Sequence, residues 1–159
     1  MDDAFKTQVA QPLGLIASGS FVLTAREGGH STGILVTWVQ QAGFDPPTIT
    51  VAVKHGRPIE AMIKRSGHFV LNIIGEDSAK MYKHFGKGAG ASEPAFEGLA
   101  VRNETTGVIV QDCIAHLGCK VTGKIETGDH TVFVGQVVGG AIHNNSKPHL
   151  HTRLNGFNY

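Results

Sequence analysis

Two short patterns and one residue class suggest chemistry at first sight. Gly29-His30-Ser31-Thr32-Gly33 has the G-x-S-x-G spacing of a nucleophile elbow, where a serine is strained into an exposed turn between a strand and a helix. Here Ile34-Leu35-Val36-Thr37-Trp38-Val39 follows, which reads as strand, so a hairpin turn is the expectation and a serine hydrolase is not. Gly86-Lys87-Gly88-Ala89-Gly90-Ala91 matches G-x-G-x-x-A, a fingerprint that works only as a strand-to-helix turn aimed at pyrophosphate. This copy follows a helical pattern and runs into Ser-Glu-Pro, so it reads as a loop instead. Among the nine histidines, His149 and His151 would share one face of an extended chain, with His143 nearby in sequence. A catalytic metal needs three or four convergent ligands, and no H-E-x-x-H spacing is present; surface and interface histidines, with no metal, are the expectation.

The stretch from Gly33 to Pro47 is more informative. It begins β-branched and apolar, carries polar side chains at Thr37, Gln40 and Gln41 without losing strand character, and is stopped by Asp45-Pro46-Pro47. A strand ending in a prepared loop has that form. An edge strand with one solvated face has it too, and composition alone does not separate the two.

The surrounding elements follow from periodicity. Residues 1 to 18 read as a loose lead-in, because Pro12 and Gly14 oppose a long helix. Phe21 to Arg26 alternates with period two, and Glu27-Gly28-Gly29-His30 suits a tight antiparallel reversal. Thr48 to Lys54 alternates again, with Ile49, Val51 and Val53 on one face. Pro58 at a first helical position, Ile59, Met62 and Ile63 at i, i+3 and i+4, and Gly67 beyond predict a short helix over 58–66. Phe69 to Ile74 reads as strand; Asp77 or Ser78 can cap a second helix in which Met81 and Phe85 share a face and Gly86 ends the run. Lys87 to Glu97 is a surface loop. Val108 to Val110, His116 to Glu126 and Thr131 to Ile142 are further strands, the last two joined through Thr127-Gly128-Asp129. Many strands with two short helices inserted indicate an antiparallel barrel.

Composition sets the bounds. A chain of 159 residues is one domain, able to bury roughly 70% of its unfolded surface. Fourteen Lys and Arg against thirteen Asp and Glu give a net charge of +1, which lacks the basic footprint of nucleic-acid binding. No apolar run approaches the ~20 residues that span a bilayer, and the acidic start Met1-Asp2-Asp3 has no signal-like apolar region, so a cytoplasmic protein is expected. Cys113 and Cys119, if on one strand, would be about 20 Å apart, beyond disulfide reach, and are expected to be reduced core residues.

The run Gly33-Ile34-Leu35-Val36-Thr37-Trp38-Val39-Gln40-Gln41-Ala42-Gly43-Phe44-Asp45-Pro46-Pro47 resembles the flavin-binding segment of the flavin reductase-like family of FMN-binding split barrels. Within it the chain is most similar to the reductase module at the C-terminal end of cyanobacterial flavodiiron proteins. Further matches fall in order along the chain: Ser18-Gly19 with Phe21 to Thr24, Gly67 to Asn72, Lys83-His84-Phe85 with Phe96-Glu97-Gly98, and Ala115 to Val121. Gly128-Asp129-His130 and a closing His151-x-Arg153-x-x-Gly156-x-x-Tyr159 complete them. The first segment and Gly-Asp-His are the specific parts.

The resemblance implies an antiparallel split β-barrel with two or three short helices over residues 1–159. It also implies an NAD(P)H-dependent flavin reductase that passes hydride from nicotinamide C4 to flavin N5. FMN is the expected flavin, with FAD possible and NADH or NADPH as donor. A non-catalytic FMN-binding electron-transfer module is the alternative. Leu35, Val36, Thr37 and Trp38 would lie along the flavin, and Gln41, Ala42 and Gly43 near its ribityl and phosphate groups. Relatives often carry serine where this chain has Ala42 or Gly43, so backbone donors would serve the phosphate here. Lys54 and Arg57 could meet the phosphate as cations, although both also suit a solvated strand end, and Trp38 also suits a core. His130 would face flavin and nicotinamide. His151, Arg153 and Tyr159 would lie near the site, in some relatives across a homodimer interface. Reduced flavin would go to a flavin-dependent oxygenase, another redox partner or oxygen.

Overall fold

In the computed structural model, which describes residues 1–88 and 94–158, the elements begin with α1 (Asp3–Gly14), β1 (Ser18–Gly19), β2 (Phe21–Glu27), β3 (His30–Val36), β4 (Val39–Phe44) and β5 (Pro47–Lys54). They continue with α2 (Pro58–Ser66), β6 (His68–Ile73), α3 (Ala79–Phe85), β7 (Val101–Asn103), β8 (Val108–Val110), β9 (Ala115–Glu126), β10 (His130–Ile142) and β11 (Leu150–His151). Seven strands form one antiparallel sheet in the order β3-β2-β6-β9-β10-β5-β4. Its outer strands, β3 and β4, are joined by Thr37 and Trp38 alone. Three Cα steps reach about 11 Å at most, whereas the edges of a flat seven-stranded sheet would stand roughly 29 Å apart. The sheet must therefore roll until its edges adjoin, which makes it a barrel open along one seam.

Gly33 to Phe44 is consequently not one strand, as its composition suggested. It is two strands on opposite sides of the seam, and Thr37-Trp38 is the crossing. The backbone there is held by Ala52 N–H donating to the Trp38 carbonyl at 3.0 Å and Val39 N–H to that of Thr37 at 3.1 Å.

Residues 1–18 also differ from expectation, because α1 is twelve residues long and includes Pro12. Asp2 caps it, its side chain accepting from Phe5 N–H at 2.8 Å. Pro12 falls in the last turn, where it removes the bond to the Gln8 carbonyl with only two residues of helix left beyond it. The C-terminal tail then meets the helix end: Gly156 N–H donates to the Ala10 carbonyl and Arg153 N–H to that of Gly14.

Elsewhere the expected periods hold among the described residues, apart from β7, which they do not mark; residues 89–93 of the expected loop Lys87 to Glu97 lie outside the described residues. Gly28 and Gly29, both at positive φ (56° and 86°), turn β2 into β3, as a two-residue reversal requires. α2 spans the expected residues and ends on Gly67 at φ 71°. α3 ends at Gly86. Asp45-Pro46, with a cis peptide bond, separates β4 from β5.

The barrel interior is lined by Leu23, Ala25, Val36, Val51, Val53, Phe69, Leu71 and Phe133, and Ile59 and Ile63 of α2 close it. A second apolar cluster, Val22, Ile74, Met81, Phe85, Val110 and Cys113, packs α3 and the β7-β8 hairpin on the outer side of β2 and β6. Polar bonds attach that hairpin. Asn72, fully buried, donates to the Val22 and Val108 carbonyls and accepts from Val110 N–H at 2.8 Å, and Thr24 Oγ1 lies 2.6 Å from the Val108 carbonyl. Both cysteines are free and buried, as expected, and burial pushes each thiol up to about 12. Cys113, however, precedes β9 rather than lying on it. No helix among the described residues is long and apolar enough to cross a membrane.

Candidate functional site

The seam residues border two adjoining cavities. The smaller, about 90 Å³, lies between the end of β3, the end of β5 and α3, and is lined by Leu35, Val36, Thr37, Trp38, Lys54, Arg57 and His151 together with Tyr82, Phe85 and Gly88. The larger, about 590 Å³, has the outward face of β4, β5 and β10 as its floor (Gln40, Thr50, Ala52, Val132). Its walls are the end of α1, Asp129, His130 and the tail through Arg153 and Phe157. Thr37, Trp38, Ala52 and Lys54 border both. A volume of 590 Å³ falls within the roughly 300–1,000 Å³ of small-molecule sites, and 90 Å³ does not.

Of the residues expected from the sequence, Leu35, Val36, Thr37, Trp38, Lys54, Arg57, His130, His151 and Arg153 are brought to these cavities. Gln41, Ala42 and Gly43 are not among the lining residues. Between Gln41 and Gly43 the β4-β5 register shifts, so that Ala42 is an extra residue without a cross-strand partner in the ladder. This bulge follows Gln40, and it is Gln40 that lines the larger cavity. Tyr159 lies outside the described residues. The sequence marks Tyr82 and Phe85 as site residues by nothing beyond the helix face that Met81 and Phe85 share; what carries them to the cavity is the docking of α3 on β3. Gly86 and Gly88 of the G-x-G-x-x-A pattern line the smaller cavity, and Ala89 to Ala91 lie outside the described residues.

His130 opens β10 directly opposite Lys54 in the ladder. Its Nδ1 lies 2.7 Å from Asp129 Oδ1, which fixes the ring and holds the Asp129 carboxyl below its ordinary range. The indole of Trp38 packs against this imidazole, ring centres 4.8 Å apart, and the Arg153 guanidinium lies over the indole at 5.0 Å. Arg153 is itself held, Nη1 donating to the Gly156 carbonyl at 3.1 Å and Nη2 to that of Leu13 at 3.4 Å.

His149 and His151 do share a face, each ring 5.7 Å from that of Tyr82, but they turn to different partners. His149 Nδ1 lies 2.9 Å from Ser20 Oγ, and His151 Nδ1 lies 3.3 Å from the Tyr82 hydroxyl. His143 stacks on His116, with ring nitrogens 3.0 Å apart. Burial lowers His151 and raises Tyr82, so the imidazole is favoured neutral and the phenol protonated.

Behind the floor, at the shared end of β5, β9, β10 and α2, lies an ion-pair network. Glu60, almost buried, is 2.7 Å from Lys64 Nζ and 2.8 Å from Thr131 Oγ1, and accepts from Gly56 N–H at 3.0 Å. Glu126 is 2.8 Å from His55 Nε2 and 2.9 Å from Thr131 Oγ1. The ligand atoms of His55, Glu60 and Glu126 lie within 4.8 Å of one another, but Lys64 already supplies the cation between the two carboxylates, 3.5 Å from Glu126. Burial raises the Glu60 carboxyl, yet the bonds from Lys64, Thr131 and Gly56 outweigh it and hold the group below 4.5; the Thr131 bond does most to lower Glu126. Carboxylates lowered in the folded state stabilise it fully above their unfolded value and lose that contribution as pH falls through the lowered one. Denaturation followed from about pH 6 to about pH 3 should therefore show a steeper stability loss in the parent than in Glu60→Gln. Parallel curves would remove Glu60 from the network's pH response.

Residues 13–157 match the protein family described as the flavin reductase like domain. The chain is 34% identical over 156 residues to the putative diflavin flavoprotein A 6 of Nostoc sp., covering 96% of this chain and 27% of that protein. It thus spans about a quarter of the length of the curated diflavin relatives it matches. It is 31% identical over 147 residues to the reductase component of a 4-nitrophenol 4-monooxygenase/4-nitrocatechol 2-monooxygenase from Rhodococcus opacus, covering 87% of this chain and 78% of that one. Among solved structures, an NADH:FAD oxidoreductase of Streptomyces globisporus superposes with a TM-score of 0.84 at 18% identity, covering 95% and 90% of the two chains. The flavin reductase of a styrene monooxygenase from Pseudomonas putida superposes with a TM-score of 0.77 at 26% identity, covering 91% of each. The rolled, seamed barrel is therefore the split-barrel fold that the resemblance implied.

Proposed function

Because the chain belongs to the flavin reductase-like domain family, we propose that it is an NAD(P)H:flavin oxidoreductase, with FMN as its foremost flavin. The observation that carries this reading is the pair of cavities meeting at Thr37, Trp38, Ala52 and Lys54, one edged by two cations and the other by a carboxylate-fixed imidazole.

The residues fit a flavin. Lys54 and Arg57 are exposed cations at one rim, suited to a phosphate. Leu35, Val36 and Ala52 offer apolar surface for a flat ring, while Thr37 and the Trp38 backbone lie along it. A bound flavin supplies the redox chemistry, accepting at N5 the two electrons and the hydrogen that nicotinamide C4 releases as hydride, and leaving NAD(P)⁺. The protein's part is to bring two rings together and limit water between them. The larger cavity, with His130 and Arg153 on its walls, takes the nicotinamide. Asp129 keeps a proton on His130 Nδ1 and so presents the imidazole in one orientation. No side chain acts as a nucleophile.

Residues 1–159 would act as a single domain in a cytoplasmic homodimer, a stoichiometry that light scattering would check. The Rhodococcus relative is a monooxygenase's reductase component, so transfer of reduced flavin to an oxygenase, another redox partner or oxygen is the corresponding role here.

Anaerobic addition of NADH, and separately NADPH, to the protein with FMN should abolish the flavin's visible absorbance at a catalytic rate with at least one donor. A bound flavin that only dithionite reduces would make the chain an electron-transfer module instead. A protein that binds no added flavin would end both readings.

A further inference from the structure

We infer that Trp38 is a gate between the two cavities and that Arg153 is its latch. The inference rests on the flavin reading above and says how that site must change to be filled. The smaller cavity contains the apolar segment Leu35-Val36 and the cation Arg57, yet its 90 Å³ is well under the volume of small-molecule sites. The larger has the volume but lacks those residues. Of the four residues common to both, Ala52 is short, Thr37 is buried and Lys54 ends at the exposed rim. Among the described residues that border both cavities, Trp38 alone carries a ring.

That indole can turn without moving the chain. The Trp38 carbonyl is fixed by Ala52 N–H and that of Thr37 by Val39 N–H, so the crossing stays in place while the side chain, 37% exposed, rotates about its own bonds. Arg153 and His130 both pack on the ring. Contacts of these kinds hold a ring in one position and still release it to a ligand that offers a larger aromatic face. With the indole turned aside the two cavities become one slot from Arg57 to His130. A tricyclic ring could then rest on Leu35-Val36 and meet a second ring arriving from the His130 side. Arg153 is the latch because its strap is tied to α1 independently, through its own N–H to Gly14 and its guanidinium to Leu13.

Trp38 is the only tryptophan in the chain, so fluorine labelling of the indole yields a probe of this one side chain. Titration of the labelled full chain with FMN should move its resonance to a second position. Arg153→Met without ligand should shift the resonance toward that same position and tighten FMN about three- to tenfold, the fold-change of losing one such cation–ring contact. Trp38→Ala should speed FMN association in stopped-flow about tenfold or more, whereas a tryptophan serving only as a bed for the ring would leave association unchanged and speed dissociation. Bound FMN with a stationary resonance, or unchanged association in Trp38→Ala, overturns the gate and leaves the flavin reading standing. Absence of FMN binding by ultrafiltration overturns both.

Discussion

Replacing Lys54 and Arg57 together by alanine should weaken FMN about a hundredfold and leave riboflavin, which lacks the phosphate, almost unaffected. A hydrogen bond between charged partners contributes about 1.5–3 kcal/mol. Both cations are solvent-exposed, so the lower end applies, and two contacts of about 1.4 kcal/mol each give two powers of ten. Lys54 closes β5, and Arg57 occupies the position just before α2, whose positive dipole end adds to the same field. Neither side chain belongs to the barrel core, so the double variant should unfold with the parent. The measurement is a pair of binding isotherms, FMN and riboflavin, at one ionic strength. Equal losses for the two ligands would mean that these cations do not meet a phosphate and that the flavin lies the other way round.

The second large effect concerns the fold that carries the site. Asn72→Leu keeps a side chain of similar bulk at a fully buried position but leaves Val110 N–H without its acceptor and the Val22 and Val108 carbonyls without that donor. An unsatisfied buried polar group costs about 1–3 kcal/mol. Thr24 still bonds both the N–H and the carbonyl of Val108, so the expected loss is about 3–5 kcal/mol, read as a lowered urea midpoint at unchanged slope. The β7-β8 hairpin covers the outer side of β2 and β6 beside Met81 and Phe85, and Phe85 lines the smaller cavity. Flavin affinity should therefore fall with stability in this variant, whereas the Lys54/Arg57 variant separates the two. A loss under 1 kcal/mol would show that the hairpin is not held by this amide.

Local features were legible where the cause is local. Pro58, the i, i+3, i+4 apolar residues and Gly67 bounded α2 correctly, because a first-turn proline and a left-handed glycine act on the chain within a few residues. Gly28-Gly29 foretold a reversal for the same reason. α1 runs past what Pro12 and Gly14 suggest, because the proline stands in the last turn with two residues of helix beyond it and because the tail bonds that secure the helix end come from residues 153 and 156. Gln41, Ala42 and Gly43 are expected near the ribityl and phosphate groups, whereas the β4 residues that line the larger cavity are Val39 and Gln40, ahead of a bulge that only the pairing with β5 reveals.

What the amino-acid order dictated, then, is the catalogue of pieces: period-two strands, one well-bounded helix, Gly-Asp-His at a turn, cations after a strand, and through resemblance the family. Folding in three dimensions decided which pieces meet. Nothing in the unbroken run from Ile34 to Val39 marks the point where the chain leaves one edge of the sheet for the other, because strand propensity reports a residue's fit to a pleated surface and not the identity of its neighbours. That crossing exists only once six inter-strand pairings have rolled the sheet shut. It places Trp38 between two cavities and within reach of His130, 92 positions later in the chain, and of Arg153 in the tail.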